Sequence, residues 1–129
     1  MLRRALRAYD EGALATAERL FTAVLQAQPD NFDALHGLGL IHYRRGRLDA
    51  ALALIQAALQ SDLDRADGFA SLGLVFHALK QFERALIAEA LEQTGGSVAV
   101  AADRLQLGKA TLYEKIKRYG LAARGEGER

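Results

Sequence analysis

Residues Ile87 to Leu121 read IAEALEQTGGSVAVAADRLQLGKATLYEKIKRYGL. Glycine takes positive φ readily, so the pair Gly95-Gly96 ends a first helical run, Ile87–Thr94. Ser97 stands where an N-cap belongs, ahead of the run Val98–Leu105. A turn at Gln106–Gly108 leads into a helix from Lys109 to Tyr119, which Gly120 closes. Two helices of about two to three turns joined by about three residues have the proportions of a helix-turn-helix. At 100° per residue, Leu112, Ile116 and Tyr119 share one sector of the last helix and must face the other helices. Opposite them lie Ala110, Glu114, Lys117 and Arg118, with Thr111 on the flank. Phosphates need cations and base edges need a few short polar groups, so this exposed side suits a DNA major groove.

The residues before this stretch match themselves at a shift of 34. Ala17 falls on Ala51 and Ala85, Leu14 on Leu48 and Phe82, and Leu6 on Leu40 and Leu74. Gly12 pairs with Gly46, Tyr9 with Tyr43, Leu20 with Leu54 and Gly39 with Gly73. The pattern predicts helices near 2–9, 14–27, 32–45, 48–60, 66–79 and 82–94. Small residues at Ala17, Ala51 and Ala85 let paired helices approach, and Gly12 and Gly46 make the turns within each pair.

Composition agrees with an all-α chain: half of the 129 residues are hydrophobic, with a single proline and no tryptophan. The net charge of +1 hides an asymmetry. Residues 1–94 hold ten Lys/Arg against twelve Asp/Glu, a balance of −2, whereas residues 95–129 hold seven against four, a balance of +3. The basic part coincides with the helix-turn-helix, where counterion release would supply affinity for nucleic acid. Without cysteine there is no disulfide framework and no thiolate chemistry. The first residues, MLRRALRAYDEG, lack the apolar core of a signal peptide, and the longest apolar run, Ala50–Ile55, is far too short for a membrane span. The expected location is the cytoplasm, on the nucleoid when DNA is bound. His36, His42 and His77 form no metal-ligand spacing, and no Gly-rich phosphate loop occurs. The chain reads as a non-enzyme with no metal and no cofactor.

The C-terminal strings resemble the Fis-type DNA-binding domain at the C-termini of NtrC-like bacterial regulators. The matching residues are Ala90-Leu91, Thr94-Gly95-Gly96, Ala101-Ala102, Leu105, Thr111-Leu112-Tyr113, Lys115 and Tyr119-Gly120-Leu121. By this resemblance Lys109 is the base-contacting cation, Thr111 contacts the backbone and Ser97 caps its helix beside a phosphate. Lys115, one of the matched positions, joins Ser97, Lys109, Ala110, Thr111, Glu114, Lys117 and Arg118 as the expected DNA-binding set. Three positions depart from the family. Gly108 replaces a usual serine or asparagine, so a side-chain contact is lost there. Glu114 stands at a frequently basic or polar position, repelling phosphate but able to accept from a cytosine N4. Gln106 replaces a turn glycine, and a left-handed conformation there would carry strain of about 1–2 kcal/mol.

The 34-residue repeat resembles the tetratricopeptide repeat (TPR), with Pro29 closing the first repeat in the family's usual place and Leu63 replacing it in the second. The first repeat is read as clipped, because Met1 falls about one turn into its first helix. In such arrays the first helix of each repeat lines a groove, which here implies Leu6, Tyr9, His36, Leu40, Tyr43, Leu74 and His77 as a partner-binding surface. The basic and asparagine residues of chaperone-tail-binding relatives are absent. The stacked leucines could bind a partner helix or be buried by the array's own curvature.

The period fails after Leu86, because Glu89 and Glu92 stand where Phe21/Ile55 and Val24/Ala58 stood earlier. Phe82, Ala85 and Leu86 share one face, while Ile87, Ala90, Leu91 and Thr94 share another, rotated by roughly 120°. One helix from about residue 82 is therefore expected to serve both modules. The expected organisation is about two and a half to three TPR-like repeats over 1–86, a Fis-type helix-turn-helix over 87–121 and a disordered tail over 122–129. The whole is a short helical-hairpin solenoid continuing through a shared helix into a helix-turn-helix. The function expected is that of a bacterial, sequence-specific regulator binding double-stranded DNA as a homodimer, with the repeats for oligomer or partner contacts. The competing reading is a TPR interaction scaffold, natural or an engineered fusion, whose terminal helices only cap the solenoid.

Overall fold

The computed structural model describes residues 1–122, so the tail expected at 122–129 lies, from residue 123 on, outside the described residues. Among the described residues there are seven helices and no strand: α1 (Leu2–Asp10), α2 (Leu14–Ala27), α3 (Phe32–Arg44), α4 (Leu48–Ser61), α5 (Ala66–Gln93), α6 (Val98–Leu105) and α7 (Lys109–Tyr119). They form two compact units, Met1–Leu79 and Lys80 onward, and the division falls inside α5.

In the first unit the 34-residue period is visible as packing. Ala17 and Ala51 are both fully buried, as are Phe21 and Ile55, and Ile41 and Val75. Gly12 (φ +79°) and Gly46 (φ +77°) hold the left-handed turns between α1 and α2 and between α3 and α4. Nothing lies within 4 Å of a Cβ built at either, so backbone conformation and not space demands glycine there. At Gly39 space does demand it: a Cβ would lie 2.7 Å from Ile55 Cγ1. Asn31 starts α3 by accepting a hydrogen bond from the Ala34 amide at 3.0 Å. Between repeats, Arg65 reaches Asp33 and Asp67, each at 2.9 Å, and stacks 3.9 Å over the Phe32 ring.

The sequence reading of two helices at 66–79 and 82–94 is corrected: α5 runs unbroken for 28 residues. The reason lies at one position. Lys80 stands 34 residues after Gly46 and 68 after Gly12, and a side-chain-bearing residue in the left-handed turn would cost about 1–2 kcal/mol. The helix therefore continues where its two predecessors turn back. The third repeat keeps its first helix but forms no hairpin. Gly73, in register with Gly39, accordingly meets nothing within 4 Å, and Phe69 is about half exposed where its counterpart Leu35 is buried.

The second unit has its own apolar core. Ile87, Ala90 and Leu91 from α5 pack with Val98, Ala101 and Ala102 from α6 and with Leu112 and Ile116 from α7. Gly95 and Gly96, at φ +63° and +86°, terminate α5. The Thr94 hydroxyl donates back to the Ala90 carbonyl at 2.8 Å, which fixes the last turn. No helix among the described residues is long and apolar enough to cross a membrane.

Candidate nucleic-acid interface

The two short helices are set by their caps. Ser97 Oγ accepts from the Val100 amide at 3.4 Å, satisfying one of the unpaired donors at the start of α6. At the other end Gln106 takes φ 57° and ψ 41°, the left-handed conformation that its place in the turn requires. It is the only non-glycine residue with positive φ among those described. The Leu107 amide then bonds the Ala102 carbonyl at 2.9 Å, closing α6 and turning the chain toward α7. Gly108 precedes α7 with no side-chain cap, and Gly120 (φ 64°) ends it.

Helix α7 is amphipathic as the wheel demanded. Leu112 is fully buried, Ile116 nearly so, and Tyr119 is half-buried. Lys109, Ala110, Thr111, Glu114, Lys117 and Arg118 are exposed. Ser97 is half-buried at the start of α6, with its hydroxyl committed to the cap. The exposed side of α7 thus offers three cations, one carboxylate and one threonine hydroxyl.

Lys115 is held on the α5 side of the helix. Its Nζ lies 3.0 Å from Glu83 Oε1 on α5, and its side chain is only 22% exposed. The same carboxylate oxygen accepts a short hydrogen bond from the Tyr119 hydroxyl. The reason is angular. Lys115 precedes Tyr119 by four residues, so both side chains leave α7 on one side, toward α5, and away from Glu114 and Lys117. Their donors hold the Glu83 carboxyl below its ordinary range, the Tyr119 hydrogen bond first and the Lys115 hydrogen bond second. Glu83 in turn pushes the Tyr119 phenol up. Sequence reasoning did not single out Glu83, because nothing in the spacing pairs a residue with partners 32 and 36 positions later.

The residues expected to line the partner groove all lie on α1, α3 and the first unit's part of α5. Leu6, Leu74 and His77 are exposed, while Tyr9, His36, Leu40 and Tyr43 are half-buried. Arg44 covers the Tyr9 ring at 5.3 Å. His36 shares a hydrogen bond with Ser71 Oγ at 2.7 Å, and burial lowers its pKa.

Residues 8–73 match the tetratricopeptide repeat family, and residues 78–119 match the family described as bacterial regulatory protein, Fis family. The first match spans just over half of the chain, and the second begins two residues before the division of the units. The sequence reading puts the module boundary at 86/87, with sharing from about residue 82; the family match begins at residue 78 and the units divide after Leu79. The two families follow each other in the order read from the residues. The chain belongs to the tetratricopeptide repeat family, and its repeats are followed by a Fis-family helix-turn-helix.

Proposed function

We propose that this chain is a sequence-specific transcriptional regulator that binds double-stranded DNA as a homodimer, its repeats providing contacts to protein partners. A Fis-type helix-turn-helix marks a DNA-binding regulator, tetratricopeptide repeats mark protein interaction, and both families are of non-enzymatic kinds. The observation that carries the proposal is the exposed side of α7. All six of its polar or small residues are exposed: in this reading Lys117 and Arg118 meet phosphates, and Lys109, Ala110, Thr111 and Glu114 face base edges. Ser97, at the N-terminus of α6, adds backbone amides beside a phosphate. Lys115 is left out of this set because it serves Glu83.

A dimer is supported by Phe82 and Leu86, which are 58% and 42% exposed on the first helix of the DNA-binding unit. Two copies would read half-sites about 34 Å apart, one helical turn of DNA. The location proposed is the cytoplasm, at the nucleoid when bound. The test is binding to selected and random duplexes across a salt series. A regulator shows affinity falling by about 0.9 log units per phosphate neutralised for each log unit of salt, together with a preference of about 10³-fold or more for its site. Absence of binding at about 50 mM salt, where non-specific contacts are strong, would leave the interaction scaffold as the reading.

A further inference from the structure

The recognition helix is held to the rest of its unit by apolar contacts and by the carboxylate of Glu83. Leu112 and Ile116 are buried among apolar side chains of α5 and α6, a contact without directional bonds. The carboxylate of Glu83 adds an angular constraint: Lys115 Nζ at 3.0 Å and the Tyr119 hydroxyl meet the same oxygen. Two donors one turn apart on α7, converging on a single acceptor from another helix, leave little freedom of roll.

We infer that Glu83 is a positioning residue for DNA recognition: acting through Lys115 and Tyr119 it sets the roll of α7, and with it which exposed side chains reach base edges. The inference rests on the DNA-binding reading above. Its corollary concerns Lys115, which neutralises Glu83 and not a phosphate. Rolling a helix of about 5 Å radius by 10–20° displaces the tips of its side chains by about 1–2 Å, enough to undo a bidentate contact to a base. Phosphate contacts made by long lysine and arginine side chains tolerate such a shift. Sequence discrimination should therefore suffer while general affinity for duplex survives.

The experiment uses the full chain with Glu83→Gln, Lys115→Met and the double variant, at a temperature where thermal melts show all of them folded. Glu83→Gln keeps an acceptor for Tyr119 but removes the charge that holds Lys115. The expected result is a drop of about tenfold in the ratio of specific to random-duplex affinity, with random-duplex affinity equal to or above wild type. Lys115→Met should lower the ratio alike and leave the salt slope unchanged. The double variant should be no worse than either single, because both remove the same constraint. A salt slope reduced by about 0.9 in Lys115→Met would show that this lysine contacts a phosphate and would overturn the inference. So would a discrimination ratio unchanged in folded Glu83→Gln. Wild-type protein that binds no duplex would overturn the DNA-binding reading and this one with it, an outcome distinct from both of the others.

Discussion

Gln106 offers the sharpest test of how the turn between α6 and α7 is built. At φ 57° and ψ 41° its Cβ crowds the following carbonyl, a strain of about 1–2 kcal/mol that glycine does not suffer. Glycine gains freedom in the unfolded chain, which offsets about 0.4–1 kcal/mol of this. Gln106→Gly should therefore stabilise the second unit by about 0.5–1 kcal/mol. The side chain is exposed, so its removal empties no core. Hydrogen exchange of the α7 amides reports opening of this unit directly, and protection should rise about two- to fivefold. Gln106→Ala is the control, since it keeps the Cβ and with it the strain; its protection should match wild type to within a factor of two. Equal protection in the glycine and alanine variants would refute the account, because the Cβ would then carry no cost.

Gly39 and Gly73 are one repeat apart, and alanine should affect them with opposite sign. Gly39→Ala drives a Cβ to 2.7 Å from Ile55 Cγ1 and should cost about 1–3 kcal/mol in urea unfolding, whereas Gly73→Ala meets open space inside a helix and should gain about 0.5–1 kcal/mol. Lys109→Ala should reduce discrimination between cognate and mutated sites by about 1–3 kcal/mol, while Lys117→Ala should weaken all duplexes alike; equal losses on every sequence would reverse the assignment of roles. The Glu83 carboxyl, ordinarily near 4.5, is depressed in the folded state, so its contribution is complete above that value and is lost as pH falls through the lower folded one. The gap in melting temperature between wild type and Glu83→Gln should accordingly be constant from pH 7 to about 5 and shrink below 4.5. A gap that persists undiminished to pH 3 would rule out the charged pairing as its cause.

The first unit was legible because its signals are periodic and redundant. Ala17 with Ala51 and Phe21 with Ile55 repeat at one spacing, and burial follows the spacing. The caps of the second unit were legible for a different reason: Ser97, Gly95-Gly96 and Gly120 each act on the backbone within a few residues of themselves. At Gln106 the sequence marks only a departure from the turn's usual glycine; the left-handed φ of 57° is supplied by the structure. The unbroken α5 was missed because apolar matches at Phe82 and Ala85 outweighed one missing glycine at position 80, although that glycine sets the turn. The Glu83 partner of Lys115 is not legible in the sequence, because a lysine on a basic helix carries no mark of a partner on another helix. Contacts such as Glu83 with Tyr119, or His36 with Ser71, depend on three-dimensional closure and leave no trace in local spacing.

The lysine at position 80 also decides how such a chain can change by duplication. A copy of residues 34–67 inserted after itself would bring its own Gly46, its own Ala51 and Ile55, and a first helix matching the next in line. The array would gain a hairpin without disturbing either neighbour. Copying the stretch that contains α5 does not work this way, because an unbroken helix stands there in place of the hairpin turn. Growth is open on the inside of the array and closed at this end, and the gate is the identity of a single exposed residue.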